Sequence, residues 1–228
     1  MTEPDLALVA AVRAALGAQA DAERAPAMQA YMKSQMPFLG VAKPARVAAL
    51  RPVWAAHPVT DRLVWESTVR FLYDEAAYRE ERYAALALLD RGKRWRDPSV
   101  VPLVEHLVVE GAWWDLVDEV AGRTVSPLRR AFPAEVDPAI RRWSRSDDLW
   151  LRRTSVLSQL GARGDVDRDL LTEVVLAAAP SSEFFLRKAI GWALRDLAHR
   201  DPSWVRAFVA EHEGDLSPLS RREALKNL

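Results

Sequence analysis

The 228-residue chain contains no cysteine. Disulfides, thiolate metal sites and cysteine nucleophiles are therefore excluded together. A reducing, intracellular setting fits that absence. Lysine is scarce: five of the 32 basic residues are Lys (Lys33, Lys43, Lys93, Lys188 and Lys226), and Arg supplies the rest. The four histidines, His57, His106, His199 and His212, lack paired metal-ligand spacing. The chain has no H-E-x-x-H, P-loop, G-x-G-x-x-G turn after a strand, or nucleophile elbow. No metal and no cofactor is expected. No apolar run approaches a membrane span, so no membrane partner is expected. The N-terminal MTEPDLALVAAVRAALG places acids ahead of an amphipathic pattern, unlike a signal peptide. Net charge is zero, from 32 basic against 32 acidic residues. That balance counts against a uniformly basic nucleic-acid binder, yet allows a basic face opposite an acidic one.

What is present is helical period. Leu6, Val9, Val12, Arg13 and Leu16 mark a first amphipathic helix. The spacing predicts further helices over about 22–35, 44–56, 60–73, 75–91 and 98–110. Beyond the segment at 111–122 it predicts helices over about 126–132, 138–145, 147–161, 166–179, 182–199, 202–213 and 218–227. No segment alternates as a strand should. Asp-Pro recurs at Asp97-Pro98, Asp137-Pro138 and Asp201-Pro202, each ahead of apolar residues at helical spacing. Asp can cap a helix while Pro fills its first turn. The expected fold is all-α: one domain over 1–228, an α-solenoid of about six HEAT-like helical pairs with a concave groove. An irregular helical bundle is the alternative architecture.

The stretch Gly111 to Gly122, GAWWDLVDEVAG, organises the chemistry. Trp114 and Asp118 are four residues apart, on one helical face. Trp113, Leu116, Val117 and Val120 supply packing surface on another. The plain alternative is a half-buried Trp beside a solvated Asp. In residues 182–200, Lys188, Trp192, Arg195 and His199 form a stripe apart from the apolar one. An aromatic among cations suits a nucleic-acid backbone, although Lys and Arg stems covering a Trp would look the same. Of Arg152 and Arg153, one can hold a phosphate while the other meets a carboxylate. Near the N-terminus, Pro37 and Gly40 make a turn before Lys43-Pro44-x-Arg46 opens a helix, where cations and free N–H groups could bind a phosphate. A purely structural corner packed by Phe38 and Leu39 reads equally well.

Suppose Trp114, Asp118, Arg153 and Trp192 share one groove. Two aromatic faces, one carboxylate and one cation then match an alkylated purine nucleotide. Alkylation at N3 or N7 makes the base cationic and already a good leaving group. A carboxylate near the sugar is then the main requirement.

The pattern resembles the AlkD-like DNA alkylation repair glycosylases, a HEAT-like repeat family. The stretches that carry the resemblance are Y-M-K with P-F-L-G and K-P-x-R (Tyr31 to Arg46), W-W-D-x-V-D (Trp113 to Asp118), L-W-L-R-R (Leu149 to Arg153) and F-F-L-R-K-A-I-G-W-A-L-R (Phe184 to Arg195). The ending L-S-P-L-S-R-R-E-A (Leu216 to Ala224) is similar as well. The resemblance implies hydrolytic excision of positively charged N3- and N7-alkylpurines from duplex DNA without base flipping, which would admit bulky adducts. It implies Asp118 as catalytic carboxylate, Trp114 and Trp192 around the lesion's deoxyribose, and Arg153 on the backbone. Tyr31 would lie close to the DNA. Lys43, Arg46, Lys188 and Arg195 are the remaining candidate DNA contacts. A monomer acting in the cytoplasm, at the nucleoid during repair, completes the expectation. The competing reading is a non-catalytic HEAT-like scaffold that binds DNA or protein.

Overall fold

The computed structural model describes residues 2–162, 164–226 and 228. Every regular element among them is helical, as the apolar period predicts. The helices group into two compact units, Met1–Trp95 and Arg96–Leu228. No helix among the described residues is long and apolar enough to cross a membrane.

The first unit holds α1 (Leu6–Gly17), α2 (Ala25–Met32), α3 (Lys43–Ala56), α4 (Arg62–Asp74) and α5 (Arg79–Arg91). α1 buries Leu8, Val9, Val12 and Leu16 and packs on α3, α4 and α5. Leu6, expected on the buried face, is exposed; Leu8 takes its place. Each fully buried Leu contributes about 1.5–3 kcal/mol, so α1 is held by packing more than by its own propensity. Trp65 of α4 is buried and donates from Nε1 to the Leu88 carbonyl at 3.0 Å.

The corner at Pro37–Gly40 is built around a buried carboxylate. Glu80 of α5 accepts from the backbone N–H of Leu39, Gly40 and Val41 at 2.9, 3.0 and 3.0 Å. Those N–H groups form an anion-binding concavity of the kind that holds phosphates, here filled by the chain's own acid. Gly40 has φ +84°, and a Cβ there would lie 2.1 Å from the Asp21 carbonyl oxygen. Phe38 is buried at the same corner.

The second unit begins with a 3₁₀ turn (Pro98–Val100) leading into α6 (Val101–Gly111). α7 (Trp114–Val120) runs through a π-helical turn (Ala121–Val125) into α8 (Ser126–Ala131). Then come α9 (Pro133–Ser144), α10 (Leu149–Val156), α11 (Arg168–Ala178), α12 (Phe184–Ala198), α13 (Pro202–Glu211) and α14 (Pro218–Ala224). Packing runs between near neighbours: α9 on α10, α10 on α12, and α12 on α14. That pattern is consistent with α-solenoid-like stacking.

The Asp-Pro pairs do not mark one repeated position. Asp97 accepts from Ser99 N–H and Asp201 from Trp204 N–H, both at 3.0 Å, so two of them start helices. Pro138 lies inside α9, which starts at Pro133. There it forfeits one backbone hydrogen bond. Asp137 is instead buried and pairs with Arg129, whose Nε and Nη2 donate to it at 2.8 and 3.2 Å. Arg129 also reaches Asp167 and Gln159, tying α8 and α9 to the segment before α11.

Candidate active site

Three helices of the second unit, α7, α10 and α12, carry the site. α7 is short and its entry is strained. Ala112 takes the left-handed conformation at φ 37°, which costs about 1–2 kcal/mol for a residue with a Cβ. Trp113 is extended and outside the helix, so α7 starts at Trp114. Leu116, Val117 and Val120 are buried, and Trp113 joins a ring cluster with Trp150 and Phe185 at centroid distances of 5.9 and 5.3 Å. Trp114 and Asp118 are left half-buried, four residues apart on one face. The π-helical turn follows at once; such turns widen a helix by one residue and recur beside functional groups.

Asp118 is not a solvated surface acid. Arg153, at the buried face of α10 and 2 % exposed, clasps it in a two-point ion pair. Nε donates to Oδ1 at 2.7 Å and Nη2 to Oδ2 at 2.8 Å. The remaining terminal nitrogen, Nη1, donates to the Phe185 carbonyl at the start of α12. The expected phosphate-binding role for Arg153 therefore meets a different arrangement. Its guanidinium is buried and committed to Asp118 and to α12. α10 thus positions the acid of α7 and the first turn of α12 with one side chain.

Electrostatics at Asp118 pull in two directions. Burial raises its carboxyl above the ordinary Asp value, the Arg153 hydrogen bond and charge pull it back, and Asp115 adds a smaller upward push. Desolvation is the largest of these, so the net direction is up. A desolvated carboxylate of this kind acts on nearby positive charge more strongly than one in water.

Trp192 of α12 is the hub on the other side. Its ring lies 5.8 Å from the Arg153 guanidinium carbon, 5.9 Å from Lys188 Nζ and 6.0 Å from the Arg195 guanidinium carbon. Its body packs against the core and is only partly buried. Lys188 and Arg195 are themselves held. Glu223 of α14 takes Lys188 at 3.0 Å and Arg195 at 3.0 Å. The structure thus brings Asp118, Arg153 and Trp192 together, with Lys188 and Arg195 at the rim, and Trp114 on the Asp118 face of α7.

Tyr31, Lys43 and Arg46 belong to the first unit. Tyr31 is 76 % exposed. Lys43 is the exposed first residue of α3. Arg46 lies over the Tyr83 ring, 4.4 Å from its centroid. Glu80, Glu223 and Phe185 were not singled out by sequence reasoning. Glu223 lies 28 residues beyond Arg195 on another helix, and a backbone carbonyl such as that of Phe185 leaves no residue-type signal. Among the described residues no three His, Asp or Glu side chains gather to hold a metal ion.

A family model described as DNA alkylation repair enzyme matches residues 12–228. The chain belongs to the DNA alkylation repair enzyme family. Among solved structures, it is similar to a predicted DNA alkylation repair enzyme from Enterococcus faecalis. The two share 28 % identity at a TM-score of 0.84, over 92 % of this chain and 97 % of that one. No curated protein matches the chain. Family membership assigns it a role in DNA repair, with DNA as its substrate.

Proposed function

We propose that the chain is a monofunctional DNA glycosylase that hydrolyses the N-glycosidic bond of positively charged N3- and N7-alkylated purines in duplex DNA. The observation that carries this reading is the desolvated Asp118 carboxylate, fixed by buried Arg153 beside Trp192. A cationic 3-methyladenine or 7-methylguanine needs no acid to leave. As its C1′–N9 bond breaks, the bonding electron pair passes to the base and cancels its charge. Positive charge then develops on the sugar, where Asp118 stabilises it. A water oxygen bonds to C1′, and its proton passes to Asp118 or to solvent. Arg153 saturates one lone-pair direction on each Asp118 oxygen, which orients the carboxylate and offsets part of the cost of burying its charge. Trp114 and Trp192 supply faces for the deoxyribose and the cationic base.

The proposed DNA contacts are Lys188 and Arg195 at the rim of Trp192 and, in the first unit, Tyr31, Lys43 and Arg46. Residues 1–228 act as one glycosylase domain, as a monomer, without extruding the base, so bulky adducts are admitted. The committed state of Arg153 favours one competing reading. A buried Arg–Asp pair also suits a non-catalytic scaffold that binds DNA or protein, where the pair only joins three helices. Two duplexes decide between them, one carrying a single 7-methylguanine and one a single deoxyuridine. Release of the cationic base alone supports the proposal. Release of neither, or of the neutral base at a comparable rate, sinks it.

A further inference from the structure

We infer that Lys188 and Arg195 form a DNA-phosphate site gated from within by Glu223. The inference rests on the DNA-binding reading above and names the regulation of that rim. On α12, Lys188, Gly191 and Arg195 fall at helical spacing on the side that meets α14. Gly191 is the notch between the two cations. A Cβ there would lie 2.3 Å from Glu223 Cβ and 3.0 Å from the Ser220 carbonyl oxygen. Ser220 Oγ donates to the Arg187 carbonyl at 2.9 Å, which fixes α14 against α12. The backbone of Glu223 is therefore held tightly, and only its side chain can move.

That side chain does what an incoming phosphate oxygen pair would do. Oε1 takes Lys188 and Oε2 takes Arg195, each at 3.0 Å, with Glu223 only 13 % exposed. Lys188 and Arg195 remain about a quarter exposed, so a ligand can reach them without unfolding the helix pair. Both cations stand about 6 Å from the Trp192 ring. The neighbouring cations hold the Glu223 carboxyl below its usual range, Lys188 foremost, so it stays charged at neutral pH.

The arrangement sets a charge balance with a consequence for selectivity. Around Trp192 stand three cations, Arg153, Lys188 and Arg195, and two carboxylates, Asp118 and Glu223. With Glu223 engaged, the rim repels a cationic base less and attracts an ordinary phosphate less. Glu223 competes with the backbone phosphate for both cations, which weakens binding to undamaged duplex.

The test measures binding of a short undamaged duplex across a salt series, for wild type, Glu223→Gln, and Glu223→Gln combined with Lys188→Ala and Arg195→Ala. Freeing two cations steepens the salt dependence by up to about two phosphate contacts, roughly a tenfold greater affinity loss between about 50 and 200 mM salt. The proposal expects tighter low-salt binding and that steeper slope in Glu223→Gln, both abolished in the combined variant. An unchanged slope, or weaker binding, in a folded Glu223→Gln protein overturns it. Glu223→Asp covers the case in which Glu223→Gln does not fold: it keeps the charge one methylene short of bridging both cations. An intermediate slope supports the gate, and a wild-type slope overturns it. Base release from an alkylated duplex is measured separately. A wild type that releases base while Glu223→Gln binds duplex with an unchanged slope overturns the gate alone, and no base release by wild type together with no duplex binding by either protein overturns both readings.

Discussion

Replacing Arg153 by Met tests the architecture of the site most searchingly. The substitution keeps the apolar stem and removes the guanidinium. Three donors go with it: two to Asp118, at 2.7 and 2.8 Å, and one to the Phe185 carbonyl. Asp118, 16 % exposed, is then a carboxylate buried without its counter-charge. Breaking a buried pair from one side costs about 3–5 kcal/mol, mostly as the penalty of the charge left behind. Burial already raises the Asp118 carboxyl, and both influences that lower it come from Arg153. Its carboxyl therefore rises further in the variant. A group whose folded value lies above its unfolded value contributes stability below the unfolded value and loses it as pH rises through the folded one. The stability deficit of Arg153→Met relative to wild type is therefore largest at neutral pH and shrinks as Asp118 protonates toward acid. Any base release retained by the variant falls off at higher pH than in wild type. Urea unfolding of both proteins at matched pH values, followed by circular dichroism, reads the difference directly. Adding Asp118→Asn to Arg153→Met recovers part of the loss at neutral pH, because the two residues act as one unit. A deficit under about 1 kcal/mol, or one independent of pH, refutes the reasoning.

Other outcomes follow from the backbone and the caps. Gly40→Ala places a Cβ 2.1 Å from the Asp21 carbonyl at φ +84°, and a loss above about 2 kcal/mol is expected; an unchanged thermal midpoint would contradict this. The two kinds of Asp-Pro separate by mutation. Asp201→Ala removes an N-cap and a solvent-exposed pair with Arg168 and costs about 1 kcal/mol. Asp137→Ala removes two charge-assisted bonds from buried Arg129 and costs roughly 3 kcal/mol. Equal costs in chemical denaturation would mean that the two acids play the same part after all.

Helix content was legible because apolar residues at helical spacing have to be buried on one side, and few strands compete with so regular a pattern. The faces of α7 were legible too: Leu116, Val117 and Val120 are buried while Asp118 and Trp114 stay half-buried. Boundaries and repeats were less so. One dipeptide serves as a cap at Asp201 and as a helix interior at Asp137, and what separates them is burial: Asp137 meets buried Arg129, eight residues upstream, whereas Asp201 meets exposed Arg168. The choice between Arg152 and Arg153 could not be made from spacing. It is decided by Asp118, 35 residues away, whose burial demands a counter-charge. The same holds for Lys188 and Arg195, which look like free cations until α14 brings Glu223 over Gly191. Long-range ion pairs leave no periodic trace, so a linear reading finds the charged residues and misses whom they face.

The central claim is that Asp118 is the carboxylate that breaks the glycosidic bond. Release of 7-methylguanine from a defined duplex, by wild type beside Asp118→Asn, tests it most directly. Asn keeps the shape and an oxygen for Arg153 but carries no charge. The account predicts release by wild type and a loss of at least about a hundredfold in Asp118→Asn, the scale of losing one electrostatic group that acts in the transition state, with circular dichroism showing the helices intact. Equal release by both proteins would contradict it, and would leave the Arg153–Asp118 pair as a joint between helices.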